Sequence, residues 1–289
     1  MWRNTLIVLL GQLPLAAVAI APSPASRWAL GAGWAAIQMF LISQLLGPRA
    51  VLFAPAVWRE APQPRVALTF DDGPHAQDTP AILEILHAAR VRATFFFVGE
   101  RARRHPELVR RAAREGHEIG VHSDTHPWWF SLALPARVRR EVSRAADTME
   151  SLSGRHPAHF RPPIGHKSLF LRRELEARGL TLVTWSSRGL DTMGRSPRAI
   201  HERILATADP GGIVLLHEGA RRAPDGTSPT VTALPGLIQA LRARGLEPVS
   251  LEDLRRGREE PSPRRAVADG AAAGARSAGS PPGAAGSPD

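Results

Sequence analysis

Apolar residues run almost unbroken through the first fifty positions. They recur in short blocks over the next two hundred, and their periodicity ends after that. Between Asn4 and Ser26 no residue is charged, and from Trp28 to Pro48 ("WALGAGWAAIQMFLISQLLGP") again none is. Each stretch approaches the ~20 residues that carry a helix across a bilayer, and "APSPASR" between them reads as a turn. Residues 1–50 are therefore expected to form a membrane hairpin, with hydrophobic segments at about 5–21 and 28–47. A cleaved signal peptide with a small-residue site near "AVA" or "PAS" is the alternative for the first stretch. It leaves the second in or on the membrane, because 21 uncharged residues are long for a core helix. Arg3 precedes the first segment, and Arg49, Arg59 and Arg65 come after the second. The positive-inside tendency then puts both ends in the cytoplasm, although Arg27 in the turn pulls the other way. If only one segment spans, the catalytic region lies on the outer side.

From about residue 64 to 257, strand-like blocks alternate with amphipathic ones. "VALTF" precedes a helix expected near Thr79–Arg90, and "ATFFFV" precedes one starting at Pro106, a favourable first-turn residue. "HEIGV" leads to a helix near Pro135–Ser153, "LTLVTW" to Pro197–Thr207 and "GIVLL" to Val231–Arg244, and "EPVSL" closes the domain. Strand and helix at this spacing imply a parallel sheet, and six or more units imply a closed or nearly closed α/β barrel. Residues 258–289 are dominated by Gly, Ala, Ser and Pro without apolar periodicity, and are expected to be disordered.

Composition narrows the chemistry. The absence of cysteine excludes disulfides, zinc knuckles and thiol catalysis. The net charge of +10 is carried almost wholly by arginine, with Lys167 the single lysine. The arginines cluster at residues 101–116, 137–144 and 172–178, each time with acids at helical spacing. Such clusters read as solvated helix faces, with contact to anionic lipid the lesser reading. No nucleic-acid motif or interleaved stacking aromatic accompanies them, so no nucleic-acid partner is expected.

Ionisable residues gather where strand-like blocks end. Asp71 and Asp72 follow "VALTF", His122 follows "HEIGV", Arg161 follows "AHF", Asp191 lies beyond "LTLVTW" and His217 follows "GIVLL". Singly, each has a bland reading: "DDG" is a turn, a histidine pair four apart is a surface accident, and a lone arginine forms an ordinary ion pair. Five strand ends in one domain point instead to one pocket at the C-terminal edge of the sheet. In "HSDTH", His122 and His126 stand at i and i+4, so a helical turn would aim both imidazoles at one centre. With one carboxylate they make a three-ligand set with open positions, the pattern of a catalytic divalent metal and most often zinc. The second carboxylate is then available as a base toward an activated water.

These residues resemble the polysaccharide deacetylases, carbohydrate esterase family four, also called the NodB homology domain. "TFDDGP", "HSDTH", "RPPIG" and "LLHEG" are similar to four of the family's five motifs, in its order, over about Val66 to Leu254. The resemblance implies a distorted (β/α) barrel with fewer than eight strands. It implies Asp71 as catalytic base, Asp72, His122 and His126 as metal ligands, and His217 as the acid that protonates the departing amine. Arg161 would orient the base, Asp191 would support the acid, and Pro162, Pro163 and Ile164 would line the substrate. The fourth motif departs from the family pattern of acid, two residues, acid and tryptophan. In "RGLDT", Arg188 replaces the first acid and Thr192 the tryptophan, while Asp191 is kept. Ile164 also stands where an aromatic is common.

The expected activity is metal-dependent hydrolysis of an N-acetyl or other acyl group from an amino-sugar glycan, by a protein anchored in a bacterial inner membrane. Deacylation of a lipid-linked sugar at the membrane face is the alternative among enzymes. An inactive, metal-containing glycan-binding module is the alternative of another class.

Overall fold

A computed structural model describes residues 2–223 and 226–257. Its strands form one parallel sheet built outward from β1 (Arg65–Asp71), in which every residue after Arg65 is buried. That is the pattern of a strand covered on both faces. On one side the order runs through β2 (Thr94–Phe97), β3 (Glu118–Val121), β4 (His159–Phe160) and β5 (Thr181–Leu182). On the other side β1 pairs with β7 (Ile213–His217), and β7 with β6 (Ser187–Arg188). The run Thr181 to Arg188 pairs with β4 at its start and with β7 at its end, which draws the two margins of the curled sheet together. Seven strands lie along this path, and β8 (Glu247–Val249) pairs only with β1, off it. The distorted barrel expected from the sequence is present in that form.

Two apolar layers arise from the alternation of side chains along each strand. Leu68, Phe70, Phe95, Phe97 and Val121 face outward onto the helices. Ala67, Phe96, Val183, Trp185, Ile213 and Leu215 fill the inside, closed below by Leu251 and Leu254. The outer helices are α4 (Asp78–Ala89), α5 (Gly99–Arg104), α6 (Pro106–Arg114), α7 (Pro135–Ser153), α8 (Leu171–Ala177), α9 (Pro197–Thr207) and α10 (Pro229–Ala243), with α11 (Leu251–Arg256) after them. The ends of α7 and α9 fall where the sequence puts them, because proline opens each and the left-handed Gly154 stops α7. Helix α5 is unforeseen: Pro106 starts a new helix at a bend on His105, splitting what reads as one arginine-rich stretch.

The N-terminal segments need a correction. The first does not form one helix of spanning length. It breaks at Gly11–Gln12 into α1 (Trp2–Leu10) and α2 (Leu13–Ile20), beside Pro14, which has no N–H to continue a helical ladder. Among the described residues, only α3 (Pro24–Leu46) is long and apolar enough to cross a membrane, with 6% of its most apolar window buried. It starts four residues before the expected Trp28, because Ser23 and Ser26 form a reciprocal cap there. The N-terminal helices are stitched to the barrel. Asn4 donates to the carbonyls of Phe53 (3.1 Å) and Leu169 (2.7 Å). The Lys167 amide donates to Leu45 (2.9 Å), Lys167 Nζ to the Gly47 carbonyl (2.6 Å), and Thr184 Oγ1 to the Pro48 carbonyl (2.7 Å). One compact unit extends through Leu254; a second begins at Arg255, of which only residues up to 257 are described. The tail expected to be disordered, 258–289, lies outside the described residues.

Candidate active site

The polar residues at the strand ends do converge. Asp71 is the last residue of β1 and stands in register with His217 at the end of β7. Arg161, fully buried, reaches across from the end of β4. Its Nη1 donates to Asp71 Oδ1 (2.6 Å) and Thr69 Oγ1 (2.9 Å), and its Nη2 to the Thr184 carbonyl (3.0 Å). The guanidinium lies over the Phe96 ring at 4.1 Å. One oxygen of Asp71 is thereby occupied, while Oδ2 turns toward His122 Nε2, 3.8 Å away.

Asp72 comes next in left-handed backbone, with φ 71°. Its Oδ1 lies 3.0 Å from His126 Nε2 and 3.6 Å from His122 Nε2. His122 Nδ1 is 2.8 Å from the Arg161 carbonyl. A carbonyl only accepts, so Nδ1 carries the proton and Nε2 presents its lone pair to Asp72. Burial depresses the His122 pKa to about 4 against the attraction of Asp71, which keeps the ring neutral at pH 7. Burial alone would raise the Asp72 pKa, but the contact with His126 and the neighbouring imidazoles hold it well below the usual carboxylate range.

The helical turn expected for "HSDTH" is absent. His122 and His126 meet through a loop in which Ser123 (φ 62°) and His126 (φ 53°) are left-handed. The buried Glu141 clamps this loop, accepting from the amides of Asp124 (2.9 Å) and Thr125 (2.8 Å) and from the Thr125 hydroxyl (2.8 Å). Buried Asp124 is pinned from outside by Arg103 (2.7 Å).

The residues fit a metal. One oxygen and two imidazole nitrogens lie within 4.8 Å of one another. Asp72 Oδ1 is buried and accepts no well-aligned hydrogen bond. Two imidazoles and a carboxylate oxygen converging on one point are a donor set that a divalent cation would take.

On the other flank, Asp191 Oδ1 is 2.9 Å from His217 Nδ1, and its Oδ2 accepts from the His217 amide (2.7 Å) and from Thr230 Oγ1 (2.7 Å). Burial depresses the His217 pKa, yet the hydrogen bond and charge of Asp191, with Asp71 and Asp72 behind, outweigh it and lift the value to about 9. Pro162 and Pro163 are buried in the loop after β4, and Ile164 is exposed with φ 60°.

Two supporting residues escape a sequence reading. Arg101 belongs to a cluster that reads as a solvated face, yet its Nη1 donates to the Asp72 carbonyl. Glu218, beside His217 in "LLHEG", is buried and accepts from Thr79 Oγ1 and from the His75 amide (3.4 Å). Burial, with Asp78 and Asp72 nearby, lifts its pKa to about 8. A Cβ on Gly73 would collide with the Glu218 carboxylate, so a side chain there would displace Glu218. The visible signal for Glu218 is an acid directly after the strand-end histidine His217.

The strand ends of this α/β barrel gather two histidines and a carboxylate that could hold a metal, flanked by a second carboxylate and an imidazole that each have their own partner. The chain belongs to the polysaccharide deacetylase family, whose family model matches residues 59–183, and it is a hydrolase of carbon–nitrogen bonds other than peptide bonds. It is 40% identical over 190 residues to a chitooligosaccharide deacetylase of Bradyrhizobium sp. (strain ANU 289), covering 63% of this chain and 86% of that one. It is 34% identical over 193 residues to a peptidoglycan-N-acetylglucosamine deacetylase of Bacillus cereus, covering 65% and 67% respectively. A wild-type family pseudoenzyme from Bacillus anthracis superposes with a TM-score of 0.63 at 24% identity over 69% of this chain and 68% of that one, a likeness of fold alone.

Proposed function

We propose that the protein removes N-acetyl groups from amino sugars of a glycan, using Asp71 as base and His217 as acid on either side of a divalent metal. One observation carries this reading: Asp71 and His217 lie in register on neighbouring strands. Each has its own partner, Arg161 at 2.6 Å and Asp191 at 2.9 Å. Asp72, His122 and His126 would hold the metal, with zinc the usual occupant of such a set. A metal bound there supplies Lewis acidity toward the attacking water and the acyl oxygen.

The chain's own residues account for the proton movements. Arg161 occupies Asp71 Oδ1, which leaves Oδ2 to accept the proton of the water as it attacks. His217, with its pKa near 9, is an imidazolium at neutral pH, fixed by Asp191 through Nδ1. Its Nε2–H is then free to protonate the departing amine, so the acid and base functions reside on separate groups. Retention of both pairs speaks against an inactive glycan-binding module.

The test is acetate release from N-acetylated amino-sugar oligomers, with and without a strong chelator. Asp71→Asn and His217→Asn should each lose on the order of 10²–10⁴ in rate at unchanged metal content, measured by elemental analysis. Turnover near that of the parent in either variant would rule out the assignment.

Helix α3 favours a second reading, in which the sugar is carried on a lipid. Its 23 residues would anchor the domain at a bilayer, the surface at which a lipid-linked sugar is presented. Release from a lipid-linked amino sugar with none from soluble oligomers would select it.

A further inference from the structure

Outside the N-terminal helices, the well-exposed large apolar side chains among the described residues are Val51, Trp128, Leu132, Leu134, Ile164 and Met193. Their placement is not scattered. Trp128, Leu132 and Leu134 lie on the loop after β3, Ile164 comes after β4, and Met193 after β6. All five therefore occupy the end of the barrel that carries the active site, and Val51 lies just past the root of α3. Trp128 is 73%, Leu132 77% and Leu134 71% exposed, although scattered single exposures are the rule for soluble surfaces.

The same end carries the anchor. Ser168 Oγ donates to the carbonyl of Ala133, between Leu132 and Leu134, at 3.2 Å. Its chain neighbours Lys167 and Leu169 are the residues bonded to Leu45, Gly47 and Asn4. The apolar loop is thus one residue removed from the root of the N-terminal helices. Close by, Asn4, Leu169 and Phe170 line a cavity of about 290 Å³ together with Arg139, Arg172 and Arg173. Arg139 and Arg172 face Glu174 and Glu176. Arg173 has no ion pair among the described residues.

We propose that the loop 128–134 is a bilayer-seating surface that rests the mouth of the active site on the membrane. Its occupant is the lipid bilayer, with Trp128, Leu132 and Leu134 in the headgroup–acyl boundary and Arg173 toward anionic headgroups. An indole and leucines beside the exposed Arg173 suit that boundary, where apolar contact and attraction to anionic lipid add. The proposal rests on the membrane-anchor reading of α3. It deepens the functional reading by specifying a glycan presented at the bilayer surface rather than one reached through bulk water.

The natural absence of cysteine makes the test direct. Full-length chains carrying Leu132→Cys, Met39→Cys in α3, or Ser151→Cys at the far end of α7 are each spin-labelled in phosphatidylethanolamine–phosphatidylglycerol vesicles. Collision with dissolved oxygen is then compared with collision with a water-soluble nickel chelate. The expected result is an oxygen-to-nickel ratio at Met39 and Leu132 several-fold above that at Ser151. A high ratio at Met39 with Leu132 equal to Ser151 would overturn the seating surface and leave the anchor standing. A low ratio at Met39 would overturn the anchor reading, and the seating surface with it.

Discussion

His217 shows how one neighbour decides what a side chain can do. Burial favours the neutral ring, and only the Asp191 carboxylate, bonded to both the ring and the amide of His217, reverses that preference. Asp191→Asn keeps the shape and removes the charge. A group whose pKa is raised is protonated, and so competent as an acid, below that value and incompetent above it. The alkaline limb of kcat/KM should therefore fall near pH 9 in the parent and move down toward the ordinary histidine value of 6.5 in the variant. A pH–rate profile checks this, and an unmoved limb would detach the acid from Asp191. The same sign governs stability: the contribution from protonated His217 is complete below pH 6.5 and is lost as pH rises through about 9.

At the scale of elements, the loop 122–126 depends on a helix that is remote in sequence. Glu141 of α7 takes three hydrogen bonds from Asp124 and Thr125, and so fixes the curve that brings His126 back beside His122. Glu141→Ala should lower metal affinity by about 10–100-fold while leaving the far-UV circular dichroism of the fold intact. A competitive chelator titration measures it. This clamp also marks the limit of what the chain reveals before folding. Strand ends were legible where an apolar block stops at an ionisable residue, as "VALTF" does at Asp71 and "GIVLL" at His217, and α7 and α9 were legible because proline starts them. The route by which two histidines meet was not, because Ser123 and His126 adopt left-handed backbone that nothing local demands. Arg101 and Arg103 likewise look like solvated charges until α5 sets them against the Asp72 carbonyl and Asp124. The break between α1 and α2 was visible as Gly11, Gln12 and Pro14, but hydrophobicity summed over the segment conceals it.

For the whole molecule, the root of the N-terminal helices acts as part of the barrel's polar core. Lys167 is fully buried, burial pulls its pKa down to about 8, and its ammonium is bonded to the carbonyl of Gly47. Removing residues 1–50 takes away the Leu45, Gly47 and Pro48 carbonyls and the Asn4 amide together. It leaves Lys167, Thr184 and the Phe53 and Leu169 carbonyls to find other partners. Each such loss costs about 0.5–1.5 kcal/mol, and more for the charged amine. A chain beginning at Val51 should therefore be less stable than the full chain in detergent by about 2–5 kcal/mol, read by urea denaturation. A passive tether would show no difference. Lys167→Met separates the two cases further. In the full chain it removes a satisfied amine and should destabilise, whereas in the shortened chain it removes an orphaned one and should stabilise. Opposite signs in the two backgrounds would make the helices a structural part of the catalytic barrel, and equal signs would return them to the role of a leash.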